Sequence, residues 1–446
     1  MPGSRQADQL VEPSAPKLKN GARNQLLPED SAVHDWYRFV LSFPPHLIRD
    51  YLHRFSIGED ALILDPFCGT GTTLVECKKQ GIESIGIEAH PMAHFASTVK
   101  TTWSSNPDDL LMNAQAIARD AAHDLASAGI EDNPIFDIDQ EIHGELRELP
   151  PEVGRLLIRN SISPLPLHKT LVLRDCIEQS ASEKQRPYYF LALSKALVTA
   201  IGNLRFGPEV GVGKIKNDAP VVDPWLNELK TIAQDLHEVS ALPSAPSAVH
   251  LADSRDMHTL RINGNKVNLV FTSPPYPNEK DYTRTTRLES VLLGYISNMK
   301  ELRQLKQGLV RSNTRNVYKG DRDEEHIREF PEILEIADRI EARRIELGKT
   351  SGFERNYANV TRQYFGGMYR HLASMRSVLA PGAYLAYVVG DQASYLRVMI
   401  RTGKLLSEVA QSLGYVVESI DLFRTRLATA TKEQLREEVV VLRWPG

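Results

Sequence analysis

The stretch Ala61-Leu62-Ile63-Leu64-Asp65-Pro66-Phe67-Cys68-Gly69-Thr70-Gly71-Thr72-Thr73 decides how this chain folds. It opens on an apolar run of strand length and passes through an acid and a proline into two glycines. Leu74, Val75 and Cys77 follow, and the polar Lys78-Lys79-Gln80-Gly81 closes the segment. The order is strand, glycine turn, helix, with Gly81 as the stop. A second short strand, Ser84-Ile85-Gly86-Ile87-Glu88, ends on another acid. Two strands joined through a helix make a crossover that is expected to be right-handed.

Outward from this unit the rhythm breaks twice. Residues 97–247 read as mainly helical, with proline breaks at Leu149-Pro150-Pro151 and Ser163-Pro164-Leu165-Pro166 and a buried helix over Pro187–Ile201 that ends before Phe206-Gly207-Pro208. Strands resume at Ala248–Asp253 and Val267–Phe271, the latter running into Thr272-Ser273-Pro274-Pro275-Tyr276. Residues 300–357 are rich in Arg, Lys and Glu. A helix over Val360–Leu379, a Pro381-Gly382 turn, a strand over Ala383–Val389, a helix over Leu396–Leu413 and a closing pair near Tyr415–Phe423 and Glu437–Arg443 complete the pattern.

The expectation is an α/β fold: a doubly wound, mostly parallel, Rossmann-like sheet with an antiparallel C-terminal strand and two insertions. Its parts are a flexible arm (1–31), a cofactor half (32–96), a helical insertion (97–247), a core segment with the catalytic loop (248–299), a charged insertion (300–357) and the core completion (358–446). Ligands of such sheets bind beyond the carboxyl ends of the strands. The glycine turn, Glu88, Asp253, Ser273–Tyr276 and Gly390-Asp391 all fall at such ends.

Composition narrows the class. At 446 residues the chain has room for a core and insertions, and an apolar share of 42% with 25% charged residues is that of a globular protein. No run reaches the roughly 18 apolar residues of a membrane span. The polar start lacks an apolar signal core. Cys68, Cys77 and Cys176 show neither metal-ligand nor disulfide spacing, which suits a reducing cytoplasm. A net charge of −4 and a pI near 6.4 do not announce a nucleic-acid binder, yet phosphate contact needs only a local basic face.

Gly69 and Gly71 let backbone approach a ligand closely, and Glu88 sits about 20 residues on, where an acid accepts hydrogen bonds from a ribose. The turn lacks the third glycine of a dinucleotide fingerprint and the lysine of a Walker loop. Two consecutive prolines after an apolar strand fix φ and remove two backbone donors, leaving carbonyl acceptors on a rigid loop. Such a loop suits an exocyclic amino group, whose lone pair is delocalised into the base until acceptors take both its hydrogens. Ser273 Oγ and the Pro274 carbonyl are the acceptors, and Tyr276 is the surface on which a flipped base would stack.

These features resemble one family. The run Asp65-Pro66-Phe67-Cys68-Gly69-Thr70-Gly71-Thr72-Thr73 is similar to the first motif of the amino-methylating DNA methyltransferases, and Ser273-Pro274-Pro275-Tyr276 to their catalytic motif, in the order with cofactor half first. The resemblance implies S-adenosylmethionine as cofactor, held by Asp65, Phe67, Cys68, Gly69, Thr70, Gly71, Thr72 and Glu88, with Asp253 at its adenine amino group. Phe39-Val40-Leu41-Ser42-Phe43-Pro44-Pro45 resembles the motif over the methionine end, which brings in Ser42, although a hydrophobic helix start explains Phe39 to Phe43 as well. Serine in the first catalytic position is commoner in the cytosine-N4 group, whereas adenine-N6 enzymes carry Asp or Asn there more often. The expected function is therefore methylation of cytosine N4 in double-stranded DNA. Adenine N6, an RNA guanine-N2 enzyme and an inactive DNA-binding homologue are the alternatives. A cytosine-C5 enzyme would need a Pro-Cys nucleophile, which this sequence lacks.

Target reading falls to the insertions. Lys300, Arg303, Lys306, Arg311, Arg315, Lys319 and Arg322 form a basic run interleaved with Asn313, Asn316 and Tyr318, readable as a DNA-contacting face or as a solvated helix face. Tyr282, Arg284 and Arg287 lie nearer the tetrapeptide and are expected to hold the flipped nucleotide or its phosphates, with Arg311 and Arg315 as further contacts. The helical insertion is an equal candidate for recognition, and whether a cognate restriction endonuclease accompanies the chain stays open.

Overall fold

The computed structural model describes residues 26–38, 42–133, 143–207, 209–260, 266–278, 280–427 and 434–446. Nine strands occur among them: β1 Leu62–Asp65, β2 Glu83–Glu88, β3 Leu204–Arg205, β4 Gly211–Val212, β5 Ser247–Leu251, β6 Val267–Thr272, β7 Leu379–Gly390, β8 Val416–Leu427 and β9 Gln434–Arg443. Seven form one sheet in the order β5-β2-β1-β6-β7-β9-β8, and β3 pairs with β4 separately. β5, β2, β1, β6 and β7 run parallel, and β9 is antiparallel to both β7 and β8. This is the expected doubly wound α/β sheet with a reversed C-terminal strand. The strand order turns back at β1, so a crevice opens between the ends of β1 and β6.

The period-two alternation of strands divides the core. Leu62, Leu64, Leu385, Tyr387, Val440 and Leu442 face one side, packed with helices Pro331–Glu346, Tyr357–Met375 and Thr402–Ser412. Ile63, Leu269, Phe271, Ala386, Val388 and Val441 face the other, under helix Pro45–Arg54. A third cluster joins helices Pro107–Ser127, Pro164–Ser180, Arg186–Ala196 and Val222–Val239 of the helical insertion. It docks on helix Pro91–Lys100 through Met92, Ala96 and Val99.

Several boundaries differ from the sequence expectation. The C-terminal helix begins at Thr402, not near Leu396, because Leu396 and Arg397 adopt left-handed φ of 54° and 65°. Pro381-Gly382 is a bulge inside β7 rather than a turn before it: the register passes from Val267↔Leu379 to Leu269↔Tyr384. Residues 1–25 of the expected arm, and Phe39, Val40 and Leu41, lie outside the described residues. The arm does not extend to residue 31, since Asp30 is buried and ion-paired with Arg49 at 2.8 Å. Among the described residues no helix is long and apolar enough to cross a membrane.

Candidate functional site

A cavity of about 700 Å³ lies beyond the carboxyl ends of the parallel strands. Its wall includes Phe67–Thr70, Thr72, Glu88 and Ser273–Tyr276, so the two motifs, some 200 residues apart, share one space.

The glycine turn is shaped by backbone. Gly69 and Gly71 adopt φ of 51° and 84°, and a Cβ at Gly71 would meet that of Ser97 at 3.0 Å. These positions favour glycine on conformational and, at Gly71, steric grounds. Cys68 is not a reactive group: it is buried, its thiol is pushed well up by desolvation, and its sulfur fills the space beside Gly86. Asp65 accepts from Thr272 Oγ1 at 2.6 Å and from the Phe67 amide at 3.1 Å, linking the first strand end to the residue before Ser273. Burial raises its carboxyl to about 6 against those hydrogen bonds. Glu88 accepts from the amides of Gly69 (2.9 Å) and His90 (2.8 Å), and desolvation raises it to about 7. The hydroxyl oxygen of Thr70 is buried in this wall with no hydrogen-bond partner among the described residues. A buried polar atom of that kind marks a place for a ligand's polar group or a water. Ser42 and Phe43 line the same end, with Phe43 edge-on to Phe271 at 5.5 Å.

Asp253 departs from expectation. The wall there is Ala252 and Ser254, whereas the Asp253 carboxylate is engaged by Arg255, with Nη2 at 2.6 Å and Nε at 3.0 Å from its oxygens. Arg255 also reaches Asp323 of the charged insertion at 2.7 Å. The carboxylate is held in this ion pair and, unlike its two neighbours, is not part of the cavity wall.

In the loop after β6, Ser273 Oγ donates to the Val388 carbonyl at 3.0 Å. The Tyr276 ring lies against Gly390, where a Cβ would approach it to 3.2 Å. Its hydroxyl stands 3.5 Å from Ser273 Oγ. Desolvation and the nearby Glu437 carboxylate raise the Tyr276 phenol, so it stays protonated.

Among the residues expected to touch DNA, Tyr282 lines the cavity. Arg287 is turned to the protein, its guanidinium held by the Thr283 carbonyl (2.9 Å), Thr283 Oγ1 (3.1 Å) and the Leu156 carbonyl (3.2 Å). Arg284 is half-buried, and its Nε has no hydrogen-bond partner among the described residues. Arg311 is also corrected, being buried, paired with both oxygens of Asp321 at 2.8 Å and donating to the carbonyls of Lys306 and Gln307. Arg315 lies half-buried over the Phe353 ring at 5.3 Å. The basic run thus splits, with Lys306 tied to Asp281 at 2.9 Å and Lys300, Arg303, Lys319 and Arg322 exposed. Asn313 and Asn316 are buried and hydrogen-bonded within their own turn while lining the cavity.

Sequence reasoning missed Lys280, Gln392, Arg424, Arg426 and Glu437, which also line the cavity. Lys280 stands four residues past Tyr276 and was within reach of a sequence reading. The others arrive through β7, β8 and β9, and their spacing carries no motif.

The chain is similar to several known proteins. A family model described as DNA methylase, of the N6/N4 type, matches residues 16–97. Type II methyltransferase M.BsoBI of Geobacillus stearothermophilus is 26% identical over 451 residues, spanning 93% of this chain and 85% of that protein. Type II methyltransferase M.AvaI of Nostoc sp. is 23% identical over 450 residues, spanning 92% and 86%. The rRNA methyltransferase aviRa from Streptomyces viridochromogenes superposes at a TM-score of 0.31 and 10% identity over 92% and 89% of the two chains. The fold, the two motifs at one crevice and the relatives define the class as a methyltransferase. In its first motif and over most of its length the chain is similar to the amino-methylating DNA methyltransferases.

Proposed function

We propose that the chain transfers a methyl group from S-adenosylmethionine to the exocyclic amino group of a base flipped out of double-stranded DNA, with cytosine N4 as the target. One observation carries the reading. The Ser273 hydroxyl has spent its proton on Val388, so it faces the site with lone pairs only. Pro274 and Pro275 have no N–H to offer. A pocket wall of acceptors fits a group that must give up two hydrogens, and an amino group is such a group.

The wall at the glycine turn fits the cofactor. The Glu88 carboxylate lines it and suits ribose hydroxyls, and Thr70 Oγ1 lacks a hydrogen-bond partner among the described residues. When bound, S-adenosylmethionine supplies an electrophilic methyl group on a sulfonium. The chain's own part is positional. Tyr276 offers a face for the base, and Ser273 with the Pro274 carbonyl accepts the amino hydrogens and favours a pyramidal nitrogen. The shared cavity then holds nucleophile and methyl donor together, an arrangement from which much of the rate can come. The names of the relatives, both type II methyltransferases, support a role beside a restriction endonuclease.

The test is transfer of isotopic label from S-adenosylmethionine to mixed-sequence duplex DNA, followed by digestion and mass spectrometry. Labelled N4-methylcytosine is the expected product. N6-methyladenine moves the target base within the same chemistry, and label confined to RNA refutes the DNA assignment.

A further inference from the structure

We propose that Lys280, Arg424 and Arg426 form a phosphodiester-binding clamp at the mouth of the cavity, which grips the backbone of the flipped nucleotide. Arg424 and Arg426 are two residues apart on β8, so their side chains leave the same face of the strand. Glu437 on β9 pairs with Arg424 in the strand register. Its carboxylate takes Arg424 Nη2 at 3.0 Å and Arg426 Nε at 3.3 Å. Lys280, from the loop after Tyr276, lines the same wall.

The charges do not balance. Three cations surround one carboxylate, leaving an excess of two positive charges on this part of the wall. Glu437 occupies one side of each guanidinium. Among the described residues the Lys280 ammonium has no hydrogen-bond or ion-pair partner, and burial together with Arg426 pushes its pKa down. Cations are not gathered and partly desolvated without an anion to repay the cost.

The location says which anion. A Cβ at Gly390 would touch both the Tyr276 ring, at 3.2 Å, and the Glu437 side chain, at 3.4 Å. The clamp therefore stands beside the surface on which the base would stack. A base lying on Tyr276 brings its own flanking phosphates to that place. The planar fork of arginine matches two phosphate oxygens, and lysine adds a point charge. Glu437 keeps Arg424 and Arg426 extended in the absence of DNA.

This inference rests on DNA being the substrate, and the experiment separates the two. Affinity for a duplex carrying the sequence methylated in the labelling assay is measured against salt for wild type, K280A, R426A, the double variant of these two and R426K. Each lost phosphate contact flattens the slope of log K against log salt by roughly 0.9, so K280A and R426A are expected to show that change and the double variant about twice it. R426K is expected to keep the slope and bind more weakly, because it keeps charge and loses the fork. S-adenosylmethionine affinity, measured alongside, is expected to stay at the wild-type value. Unchanged slopes in K280A and R426A overturn the clamp. So does weakened cofactor binding at unchanged DNA affinity, which would make the anion the cofactor's carboxylate. A wild-type protein that neither methylates nor binds duplex DNA refutes the substrate assignment itself, and the clamp with it.

Discussion

Ser273 Oγ donates to the Val388 carbonyl at 3.0 Å, and this one hydrogen bond sets the polarity of the site. A serine facing an amino group could donate or accept, and Val388 removes the first choice. Ser273→Ala removes the acceptor and leaves the prolines in place. We expect turnover to fall by about 100-fold, the lower end of what one positioned hydrogen-bonding group supplies, with cofactor affinity within twofold of wild type. Single-turnover kinetics and isothermal titration check this. Wild-type turnover in the variant would remove Ser273 from the chemistry.

Tyr276 separates ring from hydroxyl. The hydroxyl is 3.5 Å from Ser273 Oγ, at the limit of a hydrogen bond, while the ring packs on Gly390. If the ring is the stacking surface, Tyr276→Phe keeps most turnover. Tyr276→Ala loses about 1–3 kcal/mol of base binding, the usual worth of one stacked base. A fluorescent base analogue at the target position reports the loss directly. Equal damage in both variants would shift the role to the hydroxyl.

The features that could be read in the sequence share a property: each is a local run whose geometry is set by its own residues. Gly69 and Gly71 announce a left-handed turn, and Pro274-Pro275 a donor-free loop. The unread part of the site is non-local. Glu437 meets Arg424 only because β8 and β9 pair in one register, and Val388 contributes a backbone carbonyl that no side chain advertises. The basic run misled for the same reason. Its charges looked free in one dimension, yet Asp321 and Asp281 reach Arg311 and Lys306 once the segment folds. Asp253 likewise gave no sign that Arg255, two residues on, would take its carboxylate.

Glu88 carries a pH dependence. Desolvation raises its carboxyl from 4.5 to about 7, so the fold favours the protonated form. Its contribution to stability is therefore full below pH 4.5 and is lost as pH rises through about 7. Binding has the opposite sign, because only the ionised carboxylate offers all its lone pairs to ribose hydroxyls. S-adenosylmethionine affinity is expected to fall as pH drops from 8 to 6, and Glu88→Gln to flatten that profile while weakening binding. Titrations at several pH values decide it; a wild-type profile that is flat over this range would contradict the role.

Arg311 offers the sharpest contrast between charge as scaffold and charge as contact. Its guanidinium is buried, takes both oxygens of Asp321 and ties the Lys306 and Gln307 carbonyls into the same turn, with Tyr318 stacked 5.7 Å away. Removing one partner of such a pair strands the other, at a cost of about 3–5 kcal/mol. Arg311→Ala is therefore expected to lower the denaturation midpoint, whereas the exposed Arg303→Ala leaves it unchanged. The salt dependence of DNA binding reads the other axis. For Arg311→Ala, assayed well below its melting temperature, the slope of log K against log salt should match wild type, since no phosphate contact is lost. A flattened slope with unchanged stability would return Arg311 to the DNA interface. A lowered midpoint at constant slope fixes it as the residue that holds the charged insertion in shape against the cavity wall.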